Sequence, residues 1–392
     1  MKRGELKIGI VLSKTPAYSE TFFVQKIIGL KAVGITPVLF VQSNRKAFSE
    51  CEVKVAPKVN KRFRFMNPIR VALVFLKFAL FYSGRLRRFL RFEKAVGRSF
   101  SQAVKNFYNN SHILQSKVDW VHFGFTTLAI NSENVAKTIN AKMALSLRGF
   151  DIDVYPLKHK DPYRLVWQSV DKVHAISDYV LQKAYQNGLS EQTDFNIIYP
   201  ALEPSKFKLK NAAQEELTFL TVARLHWIKG LNYTLEALAM LKREGLQFKY
   251  TIVGKGELYE SLKFAINQLG LEGDVKLVGE KSHSEILGYY RTNQFYIQYS
   301  LSEGFCNSVL EAQASGLVCI VSDVGGLVEN IINGETGFTV EPYNSKILAE
   351  AIRTVINMDY EKLNAIKDNA VKRVEEKFNL SLQAEKSKAF YE

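Results

Sequence analysis

The chain has 392 residues, of which 47% are hydrophobic and 23% charged, a composition that excludes an intrinsically disordered protein. Single cores rarely grow beyond roughly 250 to 300 residues, so two domains are expected. The net charge of +14 is concentrated in residues 58–98, which contain twelve Lys or Arg and one acid, Glu93. No nucleic-acid recognition motif accompanies these basic residues, so nucleic acid is not expected as a partner.

The three cysteines, Cys51, Cys306 and Cys319, are widely spaced and form no CxxC pair. This argues against a disulfide framework or a zinc site and favours a reducing compartment. The basic start is followed by an apolar run that covers only residues 8–12 and lacks a cleavage site. We therefore predict a first strand rather than a secretion signal, and a cytoplasmic protein.

In the first half, short apolar runs alternate with helical periods. Strands are predicted at residues 6–12, 36–41, 118–123, 144–147 and 172–176, and a helix near 20–33. A further helix is expected to begin after Ser177, a suitable N-cap, and to end before Gly188.

Within the basic stretch, residues 71–82 are apolar except for Lys77. Twelve such positions are too few to span a bilayer, which requires about 20. If the following residues form one helix, four cations share a face and four apolar residues the opposite one: Arg87, Arg91, Lys94 and Arg98 against Phe89, Phe92, Val96 and Phe100. Such a helix suits an anionic membrane surface; alternatively, its apolar face packs on the first domain and its arginines are solvated.

A boundary is predicted at residues 199–204, after which the alternation restarts. Strands are expected at 217–222, 247–253, 275–278, 295–299 and 317–321, with helices at 229–243, 257–269, 283–291 and 305–315. This pattern predicts an α/β fold with two Rossmann-like, doubly wound parallel sheets facing across a cleft. The expected domains are residues 1–200 and 201–375, and a C-terminal helix at 376–392 is expected to cross back to the first domain.

Charged residues follow two strands of the second domain. Arg224 and Lys229 lie five residues apart where a strand ends and a helix begins, which suits an anionic ligand such as a diphosphate. The plain alternative is two solvated basic residues. Glu303 and Glu311 are separated by about 12 Å if wholly helical, which fits two ends of an extended ligand better than a retaining glycosidase pair. Taken alone, Glu303 is better explained as an acid that stabilises a helix N-terminus, and Glu311 as a solvated helix residue.

Together these four residues resemble the family-4 retaining glycosyltransferases, which have the GT-B architecture. The resemblance extends over nearly the whole chain and is most specific in residues 217–342. Its other motifs are residues 16–22 (PAYSETF), 174–177 (HAIS), 222–225 (VARL) with 229–230 (KG), 252–256 (IVGKG), and 325–329 (GGLVE) with Gly334 and Gly337.

The resemblance implies a role for each matching residue. Arg224 and Lys229 should hold the donor diphosphate, Glu303 the donor-sugar hydroxyls and Glu311 the ribose hydroxyls. The backbone N–H groups of Gly304, Phe305, Cys306 and Asn307 should brace sugar and phosphate, while Gly254 makes a tight turn beside them. Fixed cations stabilise a diphosphate leaving group, so neither metal nor cofactor is expected, and the donor is a UDP- or GDP-sugar.

The first domain departs from the family pattern. Where similar proteins have His-Gly-x-Asp, this chain has Arg148-Gly149-Phe150-Asp151. Arginine cannot act as a general base, so we hypothesise that Arg148 meets an anionic group of donor or acceptor; the alternative is a structural partner for Asp151 or Asp153. These two aspartates spell a DxD pattern, but no metal is expected there.

Three further residues are predicted on the acceptor or donor-sugar side of the first domain: His122, Ser19 and Glu20. For His122, a core histidine with satisfied hydrogen bonds is an equal alternative.

The sequence thus predicts a retaining glycosyltransferase, peripheral at the inner face of the cell membrane. It would transfer a sugar from a nucleotide donor to a growing, lipid-linked saccharide in surface polysaccharide assembly. One alternative is a soluble retaining transferase that acts on a small phosphorylated acceptor. Another is a non-catalytic protein of the same fold that binds polyanions or membrane.

Overall fold

The computed structural model describes residues 5–16, 21–44, 48–58, 66–207 and 216–392. Two compact units make up the chain, one of residues 1–199 and 383–392 and the other of residues 200–382. Both are α/β units built on a parallel sheet, which confirms the predicted fold class.

The first unit has a seven-stranded sheet in the order β3-β2-β1-β4-β5-β6-β7, with every neighbouring pair parallel. Its strands are β1 (Lys7–Lys14), β2 (Thr36–Ser43), β3 (Glu52–Val55), β4 (Trp120–Phe123), β5 (Lys142–Leu147), β6 (Lys172–Ala175) and β7 (Asp194–Ile197). The inner strands are apolar runs because helices cover both faces of a parallel sheet. The edge strands β3 and β7, which the sequence did not predict, are polar and partly exposed.

The helices of this unit are α1 (Thr21–Ala32), α2 (Met66–Phe81), α3 (Ser83–Ala95), α4 (Phe100–Leu114), α5 (Val135–Thr138), α6 (Tyr155–Lys158), α7 (Arg164–Trp167) and α8 (Asp178–Gln186), with a π-helix at Phe150–Val154. As predicted, Ser177 caps α8 by accepting from the N–H of Val180. The single helix predicted across residues 87–100 is wrong. Gly97 has a φ of +79°, and Ser99 caps a new helix, α4, so Arg98 lies in the turn between two helices.

The second unit has a six-stranded parallel sheet in the order β10-β9-β8-β11-β12-β13. Its strands are β8 (Thr218–Val222), β9 (Lys249–Val253), β10 (Val275–Leu277), β11 (Phe295–Gln298), β12 (Val318–Ser322) and β13 (Phe338–Val340). Its helices are α9 (Leu231–Arg243), α10 (Tyr259–Gln268), α11 (His283–Arg291), α12 (Asn307–Ala314), α13 (Leu327–Asn330), α14 (Ser345–Ile356) and α15 (Tyr360–Lys377), and α16 (Leu380–Tyr391) ends the chain. The strand order reverses between β8 and β11. Open parallel sheets bind ligands beyond the carboxyl ends of the strands at such a reversal.

Candidate active site

The turn after β8 brings Lys229 to Glu303, which follows β11. A 3-10 turn at Trp227–Lys229 ends at Gly230, whose φ is +60°. A Cβ on Gly230 would lie 2.0 Å from the carbonyl oxygen of Tyr299, so only glycine allows this turn to pack against the end of β11. In this position Nζ of Lys229 and Oε2 of Glu303 form a close ion pair, although the two residues are 74 positions apart.

The ion pair is largely withdrawn from solvent, with 12% of the Lys229 side chain and 16% of the Glu303 side chain exposed. Burial lowers the pKa of Lys229, but the carboxylate of Glu303 raises it, and the net shift is upward. Ser300 holds the carboxylate by donating its hydroxyl to Oε2 at 3.2 Å, and Gln298 in turn donates to that hydroxyl at 2.8 Å. Lys229 is therefore a permanent cation in a fixed position.

Arg224 supplies a second cation on the same loop. It lies two residues beyond β8 and is exposed, and its charge acts on Lys229 by lowering that residue's pKa. With the described parts of the chain, Arg224 makes no hydrogen bond or ion pair. One held and one solvated cation at the same strand end are suited to neutralising a diphosphate.

The loop before α12 differs from its prediction. The helix begins at Asn307 rather than at residue 305, so Glu303 lies in a loop outside it. Asn330 explains the extended conformation of Cys306, because its amide accepts the Cys306 N–H at 3.0 Å and donates to the Cys306 carbonyl at 3.1 Å. The N–H of Cys306, predicted to brace a ligand, is thus already bound within the protein.

Asn330 is a site residue that the sequence did not single out, although it directly follows the GGLVE motif at residues 325–329. The same motif supports the loop through Gly326, whose N–H donates to the carbonyl of Glu303 at 2.7 Å. A Cβ on Gly326 would lie 2.0 Å from the carbonyl oxygen of Gly304. The loop from Glu303 to Cys306 is therefore positioned by α13 and the turn before it.

Glu311 lies on α12, is half-buried, and forms no ion pair with a cation of the described residues. The hydroxyl of Tyr290, on α11, donates to its Oε2 at 3.0 Å. Burial raises the pKa of Glu311 to about 7, while the hydrogen bond from Tyr290 acts in the opposite direction. Its carboxylate can accept hydrogen bonds from ligand hydroxyls, as the predicted ribose contact requires.

Gly254 makes a tight turn after β9, as the sequence predicts. Its φ is +147°, and a Cβ there would lie 1.8 Å from the carbonyl oxygen of Ala223. A Cβ on Gly256 would likewise lie 2.2 Å from the carbonyl oxygen of Leu225. The end of β9 thus rests directly on the loop that contains Arg224.

In the first unit, Arg148 follows β5 and lies among three aromatic rings. Its guanidinium carbon is 4.1, 4.8 and 5.5 Å from the ring centroids of Phe22, Phe23 and Phe125. Its Nε donates to the carbonyl of Gly124 at 3.1 Å. These cation–π contacts fix the guanidinium at the carboxyl end of the sheet.

Asp151 is the second residue of the π-helix and is buried. Its Oδ1 accepts from the hydroxyl of Thr127 at 3.1 Å, whereas Oδ2 has no hydrogen-bond partner among the described residues. Burial raises the pKa of Asp151 to about 6. Asp153 instead accepts from the hydroxyl of Tyr179 at 3.0 Å, so the two carboxylates have different neighbours. No group of three His, Cys, Asp or Glu that could hold a metal occurs in the described ranges.

The prediction that His122 faces an acceptor is wrong. The alternative, a core histidine with satisfied hydrogen bonds, is the one observed. His122 is fully buried, with Nε2 2.8 Å from the hydroxyl of Ser146 and Nδ1 2.7 Å from the hydroxyl of Tyr391. Ser19 and Glu20 lie outside the described residues.

Of the four predicted membrane cations, Arg87, Arg91 and Lys94 are exposed. Arg98 is not, and its assignment is corrected. Its guanidinium pairs with Glu93 at 2.9 Å and Glu133 at 2.7 Å, and only 11% of the side chain is exposed. The turn after α3 directs it inward to these two carboxylates.

Comparison with known proteins finds a family model that matches the part of the chain containing this site. Residues 203–373 match the model described as Glycosyl transferases group 1. The chain is 32% identical over 239 residues to the amylovoran biosynthesis glycosyltransferase AmsK of Erwinia amylovora, covering 58% of each chain. It is 27% identical to the capsular polysaccharide biosynthesis glycosyltransferase CapM of Staphylococcus aureus, covering 55% of this chain and 60% of the relative. These matches span less than two thirds of either relative.

Solved structures agree over nearly the full length. A glycosyltransferase from Rickettsia africae superposes with a TM-score of 0.70 at 20% identity, covering 99% of this chain and 98% of the other. HepE of Anabaena, in complex with UDP-glucose, gives a TM-score of 0.71 at 18% identity, covering 98% and 100%. At such identities these likenesses show the fold alone. Residues 203–373 thus match the group 1 glycosyltransferase family, and the chain has the GT-B fold of the solved glycosyltransferase structures.

Proposed function

We propose that this protein is a retaining glycosyltransferase that transfers a sugar from a nucleoside diphosphate donor to a saccharide acceptor. The observation that supports this most directly is the ion pair of Lys229 and Glu303, with Arg224 on the same loop, where the strand order reverses. A protonated lysine, a solvated arginine and a held carboxylate are the groups that a sugar diphosphate requires at one place.

In the proposed reaction, the bond between the anomeric carbon and the diphosphate breaks, and negative charge grows on the departing phosphate. Lys229 and Arg224 stabilise that charge, and Lys229 is already oriented by Glu303 before the bond breaks. Glu303 accepts hydrogen bonds from the donor-sugar hydroxyls and Glu311 from the ribose. The acceptor oxygen attacks from the same face, and the departing phosphate oxygen takes its proton, so the anomeric configuration is retained.

We propose a UDP-sugar as donor and a GDP-sugar as the alternative. The fold of HepE, which has been solved with UDP-glucose, supports this choice. Arg148, held among three phenylalanine rings, is proposed to meet an anionic group of donor or acceptor. If Arg148→His left both turnover and donor preference unchanged, this role for Arg148 would be wrong.

For the acceptor, we propose a lipid-linked saccharide in surface polysaccharide assembly. The relatives AmsK and CapM, whose names refer to amylovoran and capsular polysaccharide biosynthesis, support this substrate class. A lipid-linked acceptor requires the enzyme to be peripheral at the inner face of the cell membrane. The exposed cations Arg87, Arg91 and Lys94 support contact with an anionic surface there.

The proposal is tested with a panel of UDP- and GDP-sugars, measuring thermal stabilisation and release of the nucleotide. One nucleotide class should stabilise the wild-type protein, and its sugars should be hydrolysed slowly or transferred. Arg224→Ala should lose both effects. Arg243→Ala, which removes an exposed arginine at the end of α9, is the matched control and should keep both.

Stabilisation by a nucleotide with no release or transfer of any sugar would contradict the enzymatic proposal. It would instead support a binding protein on this fold. No stabilisation by any member of the panel would contradict the nucleotide site itself.

A further inference from the structure

Helix α2 is apolar on both of its faces. One face is covered, with the rings of Phe75 and Phe78 lying 4.5 and 4.8 Å from that of Phe107 on α4. The other face bears a row of four aliphatic side chains at steps of four, three and four residues, each between 57 and 68% exposed: Ile69, Leu73, Leu76 and Leu80. We call these four residues the α2 stripe.

The α2 stripe is a continuous apolar surface along a helix of 16 residues, about 24 Å long. Single exposed apolar residues are common and require no explanation, but a contiguous apolar patch marks an interaction surface. Phe81, at the end of the same helix, is also exposed. No helix in the described ranges is long and apolar enough to cross a bilayer. If α2 meets a bilayer, it therefore lies along the surface.

The charges around the α2 stripe indicate which partner covers it. Between residues 66 and 114 the only acid is Glu93, which is fully buried in its ion pair with Arg98. Four exposed cations lie on α2 and on α3, the next helix along the chain: Lys77, Arg87, Arg91 and Lys94. The remaining arginines of α3 are used internally, since Arg85 and Arg88 donate to backbone carbonyl groups. The surface is therefore apolar and cationic without an exposed acid.

This combination is complementary to an anionic bilayer, which offers an apolar interior below negatively charged headgroups. A second copy of the chain would bring the same cations face to face, and the repulsion would oppose pairing. An acidic protein partner would match the cations but does not require a row of exposed aliphatic side chains along one helix.

We propose that the α2 stripe inserts into the boundary between headgroups and acyl chains of an anionic bilayer, with α2 in the membrane plane. Arg87, Arg91 and Lys94 then contact the headgroups. This inference deepens the membrane contact given under the proposed function, because it adds an apolar anchor to an electrostatic one. It does not depend on the sugar-transfer reaction.

The test is co-sedimentation of the full chain with vesicles of phosphatidylglycerol and phosphatidylcholine, or of phosphatidylcholine alone, at low and high salt. Wild-type protein should bind the anionic vesicles, and high salt should weaken but not abolish binding, because the apolar contribution is not screened. Leu73→Gln/Leu80→Gln should weaken binding at least about tenfold. A matched control, Phe264→Gln/Tyr360→Gln, removes two exposed aromatic residues of the second unit and should bind like wild type.

The cationic part is measured separately. Each of Arg87→Ala, Arg91→Ala and Lys94→Ala should weaken low-salt binding roughly fivefold. The control variants Lys263→Ala, Lys362→Ala and Lys372→Ala, each of which removes one exposed cation of the second unit, should have no comparable effect.

Equal vesicle binding by wild type and the leucine variant would overturn the proposal, as would no binding to anionic vesicles at low salt. If the wild type sedimented as a dimer and the leucine variant as a monomer, the proposal would also be overturned, and the stripe would be assigned to self-association. Stabilisation by UDP is measured on the same variants. If it persists while vesicle binding is lost, the two proposals are separated.

Discussion

Two buried lysines, one in each unit, have opposite electrostatic surroundings. Lys26, on α1, lies 3.4 Å from a ring nitrogen of His122 and 3.4 Å from one of His174. Lys229 contacts the carboxylate of Glu303. Burial is the largest influence on both, but it lowers the pKa of Lys26 to about 7, with the charge of Arg148 acting in the same direction. Glu303 reverses that effect at Lys229, whose pKa is raised.

The surroundings of Lys26 can be satisfied without any charge. Nε2 of His174 lies 2.9 Å from the carbonyl oxygen of Ile198 and must donate to it, so Nδ1 accepts when the ring is neutral. Burial also lowers the pKa of both His122 and His174, and no carboxylate of the described residues opposes this. The remaining polar neighbours of the two histidines are uncharged hydroxyls, that of Ser146 beside Nδ1 of His174 and that of Tyr391 beside Nδ1 of His122. A buried lysine is thus neutral or charged according to its partner, and only Lys229 is suited to meeting a diphosphate.

The same substitution at both lysines should give the largest contrast. Lys229→Met should lower the rate of sugar transfer or donor hydrolysis on the order of 10³-fold or more, because a cation that stabilises a departing phosphate is lost. Lys26→Met should keep the rate within a few-fold of wild type at pH 8, because it replaces a group that is mostly uncharged above pH 7 by an apolar one of similar size. Steady-state rates with the donor identified in the panel provide the measurement.

Circular dichroism and thermal unfolding of both variants show whether each is folded before rates are compared. Equal losses of rate in two folded variants would contradict the distinction between the two lysines, since a lysine with a purely structural role should not affect the rate of transfer.

A third largely buried cation, Arg98, tests whether carboxylate partners stabilise a buried charge, because it has two of them. Arg98→Ala should lower the free energy of unfolding by about 3 kcal/mol, since it leaves the fully buried Glu93 without its cation. Arg91→Ala removes an exposed cation and should change it by less than about 0.5 kcal/mol. Urea denaturation of the two variants measures the difference, and similar values would mean that the Arg98 ion pairs contribute nothing measurable.

The sequence predicts the central architecture well because the buried strands of a parallel sheet are short apolar runs. Strands such as β1, β8 and β12 lie within two residues of their predicted bounds. The edge strands β3 and β7 escape detection, since half-exposed strands contain polar residues and lose the apolar run. The turn at Gly97 was also missed, although a single glycine can end a helix when its φ is positive.

Contacts at the candidate site are less predictable than the elements. Residue type and position after a strand singled out Lys229 and Glu303, but their ion pair joins loops 74 positions apart and requires the strand order. The clamp of Asn330 on Cys306 likewise depends on two loops meeting. Helical periodicity predicts a solvated position for Arg98, whereas its guanidinium forms an ion pair with Glu133, 35 residues further along the chain. Local patterns cannot reveal such partners.

The pH dependence of the free energy of unfolding should show whether Lys26 loses its charge on folding. Its pKa is 10.5 in the unfolded chain and about 7 in the folded one, so between these values the unfolded state binds more protons. Stability of the wild type should therefore rise with pH relative to Lys26→Met, by about 2 kcal/mol between pH 7 and 9. Denaturant unfolding of both proteins across this range measures the difference, which isolates Lys26 from other titrating groups. A difference that does not change with pH would mean that Lys26 is charged in the folded state.

Glu311 is the acidic counterpart of Lys26 in the second unit, since burial shifts its pKa to about 7 and no cation of the described residues opposes the shift. Its carboxylate form accepts hydrogen bonds from the ribose in the proposed complex, so affinity for a UDP-sugar should fall about tenfold from pH 8 to pH 6 as the carboxylate takes up a proton. Glu311→Gln cannot titrate, and should bind more weakly than wild type at pH 8 but with little change across the range. Calorimetric titration with the UDP-sugar is preferable to UDP, whose terminal phosphate itself titrates near pH 6. The same tenfold fall in Glu311→Gln would assign the pH dependence to another group and remove Glu311 from the ribose contact.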